Sequence, residues 1–333
     1  MKIAIASGKG GTGKTTVATN LAWLASQNGL ATVYLDCDTE APNGHLFLRP
    51  VIEEQREVVR MIPQVDVTRC TCCGQCGEIC QFSAIVCLGQ KVLIFPELCH
   101  SCGGCQLVCA THAISETPRV VGVVETGCCG PLRFVQGCLN VGEASSPPVI
   151  RAVKQAAPPA DLVIYDAPPG TACPMIETVR GSDYVLLVTE PTPFGLHDLR
   201  LAVEVVQSMK KNCGVVINRA LSGVRETRQF CQQTRIPILG EIPDIMAIAE
   251  AYSEGKLAIE AVPGMRRTFT KLLLELTTTV QTEALPEAVR LNLNQIVHPP
   301  AEPSSRHRQP ADAQPAPVCY LALRARGPKS NRV

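Results

Sequence analysis

The stretch Gly8-Lys9-Gly10-Gly11-Thr12-Gly13-Lys14-Thr15 fits the pattern G-x-x-x-x-G-K-[ST] of a phosphate-binding loop. An apolar run, Lys2–Ser7, precedes it and predicts a buried strand, and helical spacing over Thr16–Asn28 predicts a helix after it. Glycines let backbone N–H groups surround phosphate oxygens, and the helix N-terminus adds its dipole. In such a loop Lys14 contacts the β- and γ-phosphates and the Thr15 hydroxyl binds Mg²⁺. The predicted nucleotide-binding residues of this loop are Gly8, Lys9, Gly10, Gly11, Thr12, Gly13, Lys14, Thr15 and Thr16.

Further apolar runs alternate with helical stretches, which predicts an α/β fold: a P-loop NTPase with a mostly parallel sheet covered by helices. These predicted strands are Ala31–Leu35, Leu162–Tyr165, Tyr184–Thr189, Gly214–Ile217 and Ile238–Ile242. Asp36, Asp166, Asn218 and Pro243 directly follow four of them. Open α/β sheets bind their ligands at the carboxyl ends of the strands, so these four residues are candidates for the same site.

Residues 65–118 interrupt this pattern with two cysteine runs of the same spacing, Cys-x2-Cys-x2-Cys-x3-Cys. The first run is Cys70, Cys73, Cys76 and Cys80, and the second is Cys99, Cys102, Cys105 and Cys109. This duplication is like that of bacterial ferredoxins with two clusters, in which the fourth cysteine of each run binds the other cluster. The spacing therefore predicts two [4Fe–4S] clusters. The predicted ligands are Cys70, Cys73, Cys76 and Cys109 for cluster one, and Cys99, Cys102, Cys105 and Cys80 for cluster two.

Zinc is the alternative for these cysteines, since paired CxxC motifs also bind it, but two complete runs favour the ferredoxin interpretation. Gln81 and Ala110 occupy the positions where the bacterial pattern usually has proline. This difference bears on the reduction potentials of the clusters and not on the predicted cysteine ligands. We interpret the extra thiol, Cys72, as a bystander rather than an alternative ligand. For three other cysteines we favour ordinary packing over a further metal site; they are Cys128, Cys129 and Cys138.

The loop contains a second lysine, Lys9, and its sequence KGGTGKT resembles the deviant Walker A motif of the MinD/ParA/nitrogenase iron protein class. The resemblance implies an ATP-dependent sandwich dimer, either a homodimer or a heterodimer with a paralogous ATPase. It also implies that Lys9 reaches the partner's nucleotide and that Lys9, Lys14 and Asp38 are the catalytic residues. The alternative is that Lys9 is an ordinary solvated loop cation.

Two further stretches resemble the switches of that class. Asp36-x-Asp38 followed by Asn43 is similar to switch I, which implies that Asp38 orients the attacking water or lies near Mg²⁺, supported by Asp36. Asp166–Gly170 (DAPPG) is similar to switch II, which implies that Asp166 holds Mg²⁺ through water and that the Gly170 amide senses the γ-phosphate. The implied Mg²⁺ residues are thus Thr15, Asp38 and Asp166. In the class, Asn218 and Pro243 fall near adenine; a simple strand-end role is the alternative for both. Cys173 follows Asp166 at the offset where the nitrogenase iron protein has a cluster ligand, although an ordinary residue near a helix start is the favoured interpretation.

Over residues 1–280 the chain resembles MinD-superfamily P-loop ATPases that contain an inserted ferredoxin domain and are related to the Mrp/ApbC iron–sulfur carriers. The break in the α/β pattern, together with the resemblance, predicts an ATPase domain (1–64 and 119–284) and a small α+β two-cluster insert (65–118). Residues 285–333 are rich in Pro, Ala and Arg and predict a disordered tail, since they cannot bury enough apolar surface to offset the entropy of ordering. The expected function is control of electron transfer or of metal-cluster assembly on a redox or metal-cluster partner protein. The alternatives are a MinD/ParA-type positioning ATPase with structural or redox-sensing clusters and, less favoured, an amidotransferase-like synthase.

The composition bears on partners and compartment. Net charge is +1 and aromatic residues make up 4%, which argues against nucleic-acid binding. No run of about 20 apolar residues is present, so we expect no membrane partner. The start of the chain does not resemble a signal peptide, and eighteen cysteines in clustered runs suit metal binding in a reducing, cytoplasmic setting.

Overall fold

The computed structural model describes residues 1–220, 224–280 and 286–297. The strands are β1 (Lys2–Ala6), β2 (Thr32–Asp36), β3 (Val51–Val65), β4 (Ile85–Leu88), β5 (Lys91–Ile94), β6 (Ile114–Cys129), β7 (Leu132–Leu139), β8 (Leu162–Asp166), β9 (Tyr184–Thr189), β10 (Cys213–Ile217) and β11 (Ile238–Glu241). The helices are α1 (Lys14–Gln27), α2 (Gly44–Leu48), α3 (Gln75–Ile79), α4 (Gly104–Leu107), α5 (Pro147–Gln155), α6 (Cys173–Val179), α7 (Pro193–Ser208), α8 (Val224–Thr234), α9 (Met246–Ser253), α10 (Ala258–Ala261), α11 (Met265–Val280) and α12 (Glu287–Val297).

Among the described residues, nine strands form one sheet in the order β11-β10-β9-β1-β8-β2-β7-β6-β3. The strands from β11 to β7 run parallel, as the predicted α/β fold requires. One face is covered by α1, α11 and α12, with Leu21, Leu273 and Leu293 fully buried there. The other is covered by α5, α6 and α7, through Ile150, Met175 and Val203. The sheet is thus sandwiched between helices, and its carboxyl edge carries the phosphate-binding loop.

A long two-stranded ribbon at the sheet edge carries the cysteine-rich segment. β6 pairs antiparallel with β7, and β3 pairs antiparallel with β6 from Val51–Cys128 to Val65–Ile114. At about 3.3 Å per residue, the 15 residues of β3 span about 50 Å. The cysteine-rich residues 66–113 follow from its far end and contain the β4–β5 hairpin. Within the described residues, a separate small domain at 65–118 is not shown: those up to 297 belong to one compact unit, and the insert continues the sheet through the ribbon.

The predicted disordered tail begins too early. Residues 287–297 form α12, because Val289, Leu293 and Val297 recur every four residues and bury one face against α11. The remainder of that predicted tail, residues 298–333, lies outside the described residues. Among the residues described, no helix combines the length and apolar character needed to cross a bilayer.

Candidate functional site

The phosphate-binding loop is fixed by close contacts at both of its ends. A Cβ on Gly8 would overlap the Asp198 carbonyl oxygen of α7, so only glycine fits there. Gly13 has a φ of +92°, and a Cβ on it would overlap Asn218 Nδ2. That amide donates to the Thr12 carbonyl oxygen at 2.8 Å. Asn218 is therefore more than a strand-end cap: from the end of β10 it holds the loop that precedes α1.

Asp166, at the end of β8, is buried against the loop with one oxygen unpartnered. Its Oδ2 accepts a hydrogen bond from the Tyr34 hydroxyl at 2.9 Å, whereas Oδ1 has no hydrogen-bond partner among the described residues. Burial raises the pKa of Asp166 to about 6, against the hydroxyl of Thr15 and the charge of Lys14. Burial also lowers the pKa of Lys14, which Asp166 and Asp38 oppose. A buried carboxylate oxygen in need of a donor or a cation, beside a hydroxyl, suits hydrated Mg²⁺.

Asp36 organises the loop that carries Asp38. Its Oδ1 accepts the Asp38 N–H at 3.1 Å, and its Oδ2 accepts the N–H groups of Asn43 and Gly44 at 3.1 and 2.9 Å. Burial and the nearby Asp166 raise the pKa of Asp36, against these hydrogen bonds. Burial likewise raises the pKa of Asp38, and Lys14 lowers it. Asp36 thereby closes the 38–43 loop and begins α2, with Asp38 close enough to Lys14 to interact with its charge.

These groups surround a cavity of ≈ 320 Å³. Its lining includes the predicted residues Gly10, Gly11, Gly13, Lys14, Thr15, Thr16, Asp38, Asn43, Asn218 and Pro243. It also includes Pro169 of the predicted switch II stretch, and residues for which we made no prediction, namely Arg219, Asp244, Ile245, Ile248, Ala249 and Tyr252. Gly8, Lys9, Thr12 and Asp166 lie outside the lining. A glycine-lined mouth with Lys14 on one side and an apolar wall at α9 on the other fits a nucleotide, with phosphates at the loop and the base at the wall.

Lys9 lies outside this cavity and is ion-paired. Its Nζ lies 3.5 Å from Glu190 Oε2, and Glu190 Oε1 accepts a hydrogen bond from Arg219 Nη1 at 2.6 Å. The Glu190 side chain is 11% exposed, and that of Lys9 is 33% exposed. Glu190 follows β9 and contacts both Lys9 of the loop and Arg219 of the cavity wall. In this conformation Lys9 is neither a freely solvated cation nor a phosphate ligand.

The Gly170 amide is also engaged. It donates to the Ser7 carbonyl oxygen at 3.1 Å, and Gly170 has a φ of +91°. A phosphate-sensing role for this amide therefore requires the Gly170–Ser7 hydrogen bond to break first.

Comparison with known proteins identifies the fold family. The CobQ/CobB/MinD/ParA nucleotide binding domain matches residues 3–259. The chain belongs to the CobQ/CobB/MinD/ParA family. An uncharacterized protein of Methanocaldococcus jannaschii is 39% identical over 222 residues, which cover 66% of this chain and 78% of that protein. The iron–sulfur cluster carrier protein of Synechocystis sp. is 52% identical over 277 residues, covering 78% of this chain and 65% of the carrier.

The cell division ATPase MinD of Pyrococcus furiosus has the same fold. It superposes with a TM-score of 0.52 at 22% identity, over 84% of this chain and 98% of that one. By its family match the chain is a MinD/ParA-type nucleotide-binding protein, and its α/β P-loop fold is consistent with ATP hydrolysis.

The cysteine insert of this MinD/ParA-type protein repeats its backbone geometry from the first run to the second. Left-handed residues recur in pairs: Cys72 and Ser101 (φ 55° and 54°), Gly74 and Gly103 (85° and 71°), Ser83 and His112 (52° and 50°). Backbone N–H groups donate to Sγ atoms at matching positions, to Cys70 and Cys99 from two residues later and to Cys80 and Cys109 from four residues later, at 3.3–3.4 Å. Such N–H···S hydrogen bonds stabilise cluster thiolates and tune their potential.

The chain also crosses between the halves of the insert. A small cavity is lined by Cys70, Cys73 and Cys76 of the first run together with Cys109 of the second, and by the apolar residues Val65, Val92 and Ile114. Cys80 of the first run packs against a small buried group formed by Ile62, Ala84 and Cys99. All four predicted ligands of cluster one therefore line one cavity, whereas only two of the four predicted ligands of cluster two, Cys80 and Cys99, are brought into one group. No group of three or more His, Cys, Asp or Glu side chains in the described ranges has the geometry of a metal site, and the clusters stay a prediction.

Other cysteines among the described residues are dispersed. Cys128 and Cys129 end β6, whereas Cys138 pairs with Val123, five positions back along the same strand or about 17 Å away. These three therefore do not form one site. Cys173 is exposed at the first position of α6. Near the first run, the Cys87 thiol donates to the Cys72 carbonyl oxygen at 3.4 Å.

Three features of the site escaped the sequence analysis. Tyr34 lies two residues before Asp36, on the same face of β2, and stacks on Phe134 at 5.7 Å between ring centroids; this alternation was a usable signal. Glu190 directly follows β9, and position at a strand end was the signal for it. The α9 wall carried no signal, because its apolar residues resemble those of any packed helix.

Proposed function

We propose that this ATPase couples its nucleotide state to electron transfer, or to metal-cluster assembly on a partner protein, through two [4Fe–4S] clusters bound by residues 66–113. The expected unit is a dimer, formed with a second copy or a paralogous ATPase. The division into an ATPase domain (1–64 and 119–284) and an insert (65–118) is part of this proposal. Within that insert, the cysteine-rich residues 66–113 lie beyond the tip of the β3–β6 ribbon.

One observation supports the cluster part most: Cys109 shares a small cavity with Cys70, Cys73 and Cys76, although it closes the second run and they open the first. Zinc binding would need no such crossing, since each run of four cysteines could supply all four ligands of a zinc site by itself. A two-cluster ferredoxin does need it. The named function of the Synechocystis relative, iron–sulfur cluster carrier, points the same way.

The clusters would supply one-electron chemistry, or be delivered as cargo, and the chain's own residues would govern their environment. Backbone N–H groups at Cys72, Ala84, Ser101 and Ala113 donate to four ligand sulfurs. On the nucleotide side, Lys14 would neutralise phosphate charge, Thr15 and Asp166 would hold Mg²⁺ with its water, and Asp38 would orient the attacking water. Pro243 and the α9 wall would face the base.

The test is anaerobic purification of the full chain, followed by assays of metal content and ATP hydrolysis. We expect about eight irons and eight sulfides per chain, negligible zinc, and hydrolysis that Asp38→Ala abolishes. Cys138→Ser, a change at an exposed cysteine outside the predicted ligand sets, is the matched control and should keep all the iron. Stoichiometric zinc without iron would overturn the cluster assignment. ATP-dependent co-sedimentation with liposomes or DNA would instead favour a positioning ATPase.

A further inference from the structure

The connection between β7 and α5, residues 140–146, is tied at both ends to the 38–43 loop of the nucleotide site. The Leu139 N–H donates to the Thr39 carbonyl oxygen at 2.8 Å, and Ser146 Oγ donates to Glu40 Oε1 at 3.2 Å. Thr39 also packs directly on β7, where a Cβ on Gly137 would lie 2.8 Å from Thr39 Cγ2. A rearrangement beside Asp38 must therefore displace residues 140–146 or break these contacts.

The same connection carries Glu143, which forms a buried ion pair with Arg60 of β3. Arg60 Nη2 lies 2.9 Å from Glu143 Oε2, with side chains only 3% and 2% exposed, and Arg119 Nε donates to Oε1 at 2.8 Å. Arg60 Nη2 also donates to the carbonyl oxygens of Pro96 and Glu97, at 2.8 and 3.3 Å. These carbonyls closely precede Cys99. One guanidinium thus joins the connection after β7 to the first ligand loop of cluster two.

Separating the Glu143–Arg60 ion pair is energetically costly, because both side chains are removed from water. Nε and Nη1 of Arg60 are buried with no hydrogen-bond partner among the described residues. The Glu143 carboxylate therefore provides most of the compensation for the buried positive charge of Arg60. A buried charge that loses its partner is strongly unfavourable, and the pair therefore moves as a unit rather than separating. Movement of Glu143 would carry Arg60 and the 96–97 backbone with it.

The first half of the insert is connected differently. Arg69 Nη2 donates to the Thr111 carbonyl oxygen at 3.0 Å, and the Asp66 N–H to the Ala113 carbonyl oxygen at 2.8 Å, both within the insert. In the second half, Ser101 Oγ donates to the Met61 carbonyl oxygen on β3. Its counterpart in the first half is Cys72, which has no hydroxyl. Two halves that are alike in sequence therefore differ in their attachment to the ATPase sheet.

We propose that the nucleotide state reaches cluster two, and not cluster one, through residues 139–146 and the Glu143–Arg60 ion pair. The inference rests on the proposed function and adds which of the two ligand loops responds. Coupling of this kind is reciprocal: occupation of the 99–105 ligand loop should change nucleotide affinity by the same factor by which nucleotide changes the loop.

Hydrogen–deuterium exchange on the anaerobically purified full chain tests the proposal, with no nucleotide, ADP–Mg²⁺ or a non-hydrolysable ATP analogue with Mg²⁺. The reporters are the amides of Leu98 and Cys99, bonded to the Phe95 and Pro96 carbonyl oxygens, against those of residues 69–72. We expect the analogue to change exchange at 98–101 by about fivefold or more relative to ADP, and at 69–72 by less than about twofold. Glu143→Gln and Arg60→Met should abolish the difference while nucleotide still binds.

Glu53→Gln is the matched control: Glu53 of β3 pairs with Arg133 of β7, with side chains 42% and 45% exposed, and the variant should retain the response. Ser146→Ala, which removes only the Glu40 contact, keeps the test available if Glu143→Gln does not fold, and should weaken the response at least twofold. Equal responses of the two loops, or an unchanged response in Glu143→Gln or Ser146→Ala, would overturn the proposal. No response in a chain that binds nucleotide and iron would overturn this inference alone, whereas failure to bind iron or nucleotide would overturn the proposed function as well.

Discussion

Replacing Glu190 by glutamine should tighten the proposed ATP-dependent dimer. In the structure Glu190 holds Lys9 at 3.5 Å and Arg219 at 2.6 Å. A role for Lys9 at a partner's nucleotide requires this lysine to leave Glu190. Glutamine keeps the size of the side chain and removes its charge, so that release costs less.

The magnitude follows from exposure and symmetry. Lys9 keeps about a third of its side chain in solvent, which limits the ion pair to about 1 kcal/mol. A two-fold symmetric homodimer releases two such pairs, one from each copy, or about 2 kcal/mol. The dissociation constant should therefore fall by up to about 30-fold in a homodimer. It should fall only about fivefold in a heterodimer in which one such pair is released.

Sedimentation velocity at saturating ATP–Mg²⁺ measures this constant, with Asp38→Ala in the background to prevent turnover. Arg219→Gln is the control, because it breaks the other contact of Glu190 and leaves Lys9 paired, so the dimer should not tighten. The reasoning is refuted if Glu190→Gln dimerises no more tightly than its parent, or if Arg219→Gln tightens the dimer equally.

Three further outcomes are expected. Because burial raises the pKa of Asp166 to about 6, protons compete with Mg²⁺ for this carboxylate below that pH. Mg²⁺-dependent ATP binding, measured by calorimetry, should therefore weaken about tenfold from pH 7 to pH 5. An affinity that does not change with pH would exclude Asp166 as the carboxylate that holds the cation. Cys109→Ser and Cys80→Ser should each reduce iron from about eight to about four per chain; loss of all iron in both would contradict independent clusters. Gly13→Ala should lower the free energy of unfolding by about 2–3 kcal/mol, because it adds backbone strain and displaces the Asn218 hydrogen bond. Gly29 also has a positive φ, but a Cβ there would meet open space, so Gly29→Ala should lower it by only about 1–2 kcal/mol. Urea unfolding measures both.

The parallel core of the fold was predictable because its signals are local. Apolar strands such as Leu162–Asp166 are buried on both faces and read as continuous apolar runs. The phosphate-binding loop has a fixed spacing of glycines and lysine. The cysteine runs identify themselves by repetition, since each ligand of the first run has a counterpart at the same position of the second.

The ribbon and the last helix were not predictable by the same means. β3 reads VIEEQREVVRMIPQV and is exposed over most of its first half, so it lacks the alternation of a half-buried strand and contains Pro63. Its partner β6 supplies the hydrogen bonds that hold it extended, and the whole cysteine-rich segment separates the two strands along the chain. The apolar spacing of α12 was present in the sequence. The proline-rich composition of the residues after it nevertheless led us to predict a disordered tail from residue 285 onward.

Long-range ion pairs were equally out of reach. Lys9 lies in the loop after β1 and Glu190 follows β9, whereas Arg60 lies on β3 and Glu143 follows β7. Nothing local distinguishes these charged residues from solvated ones. Only the fold, by bringing β9 beside β1 and β3 beside β6, gives them partners.

The most direct test of nucleotide control is the rate of electron transfer from the reduced, cluster-loaded chain. The chain would be reduced anaerobically, freed of excess reductant and mixed by stopped flow with a one-electron acceptor such as cytochrome c. ATP, ADP and a non-hydrolysable ATP analogue would be compared, each with Mg²⁺. We predict rates that differ by about fivefold or more between the ADP and the analogue states. Equal rates in all three would contradict control of the clusters by the nucleotide.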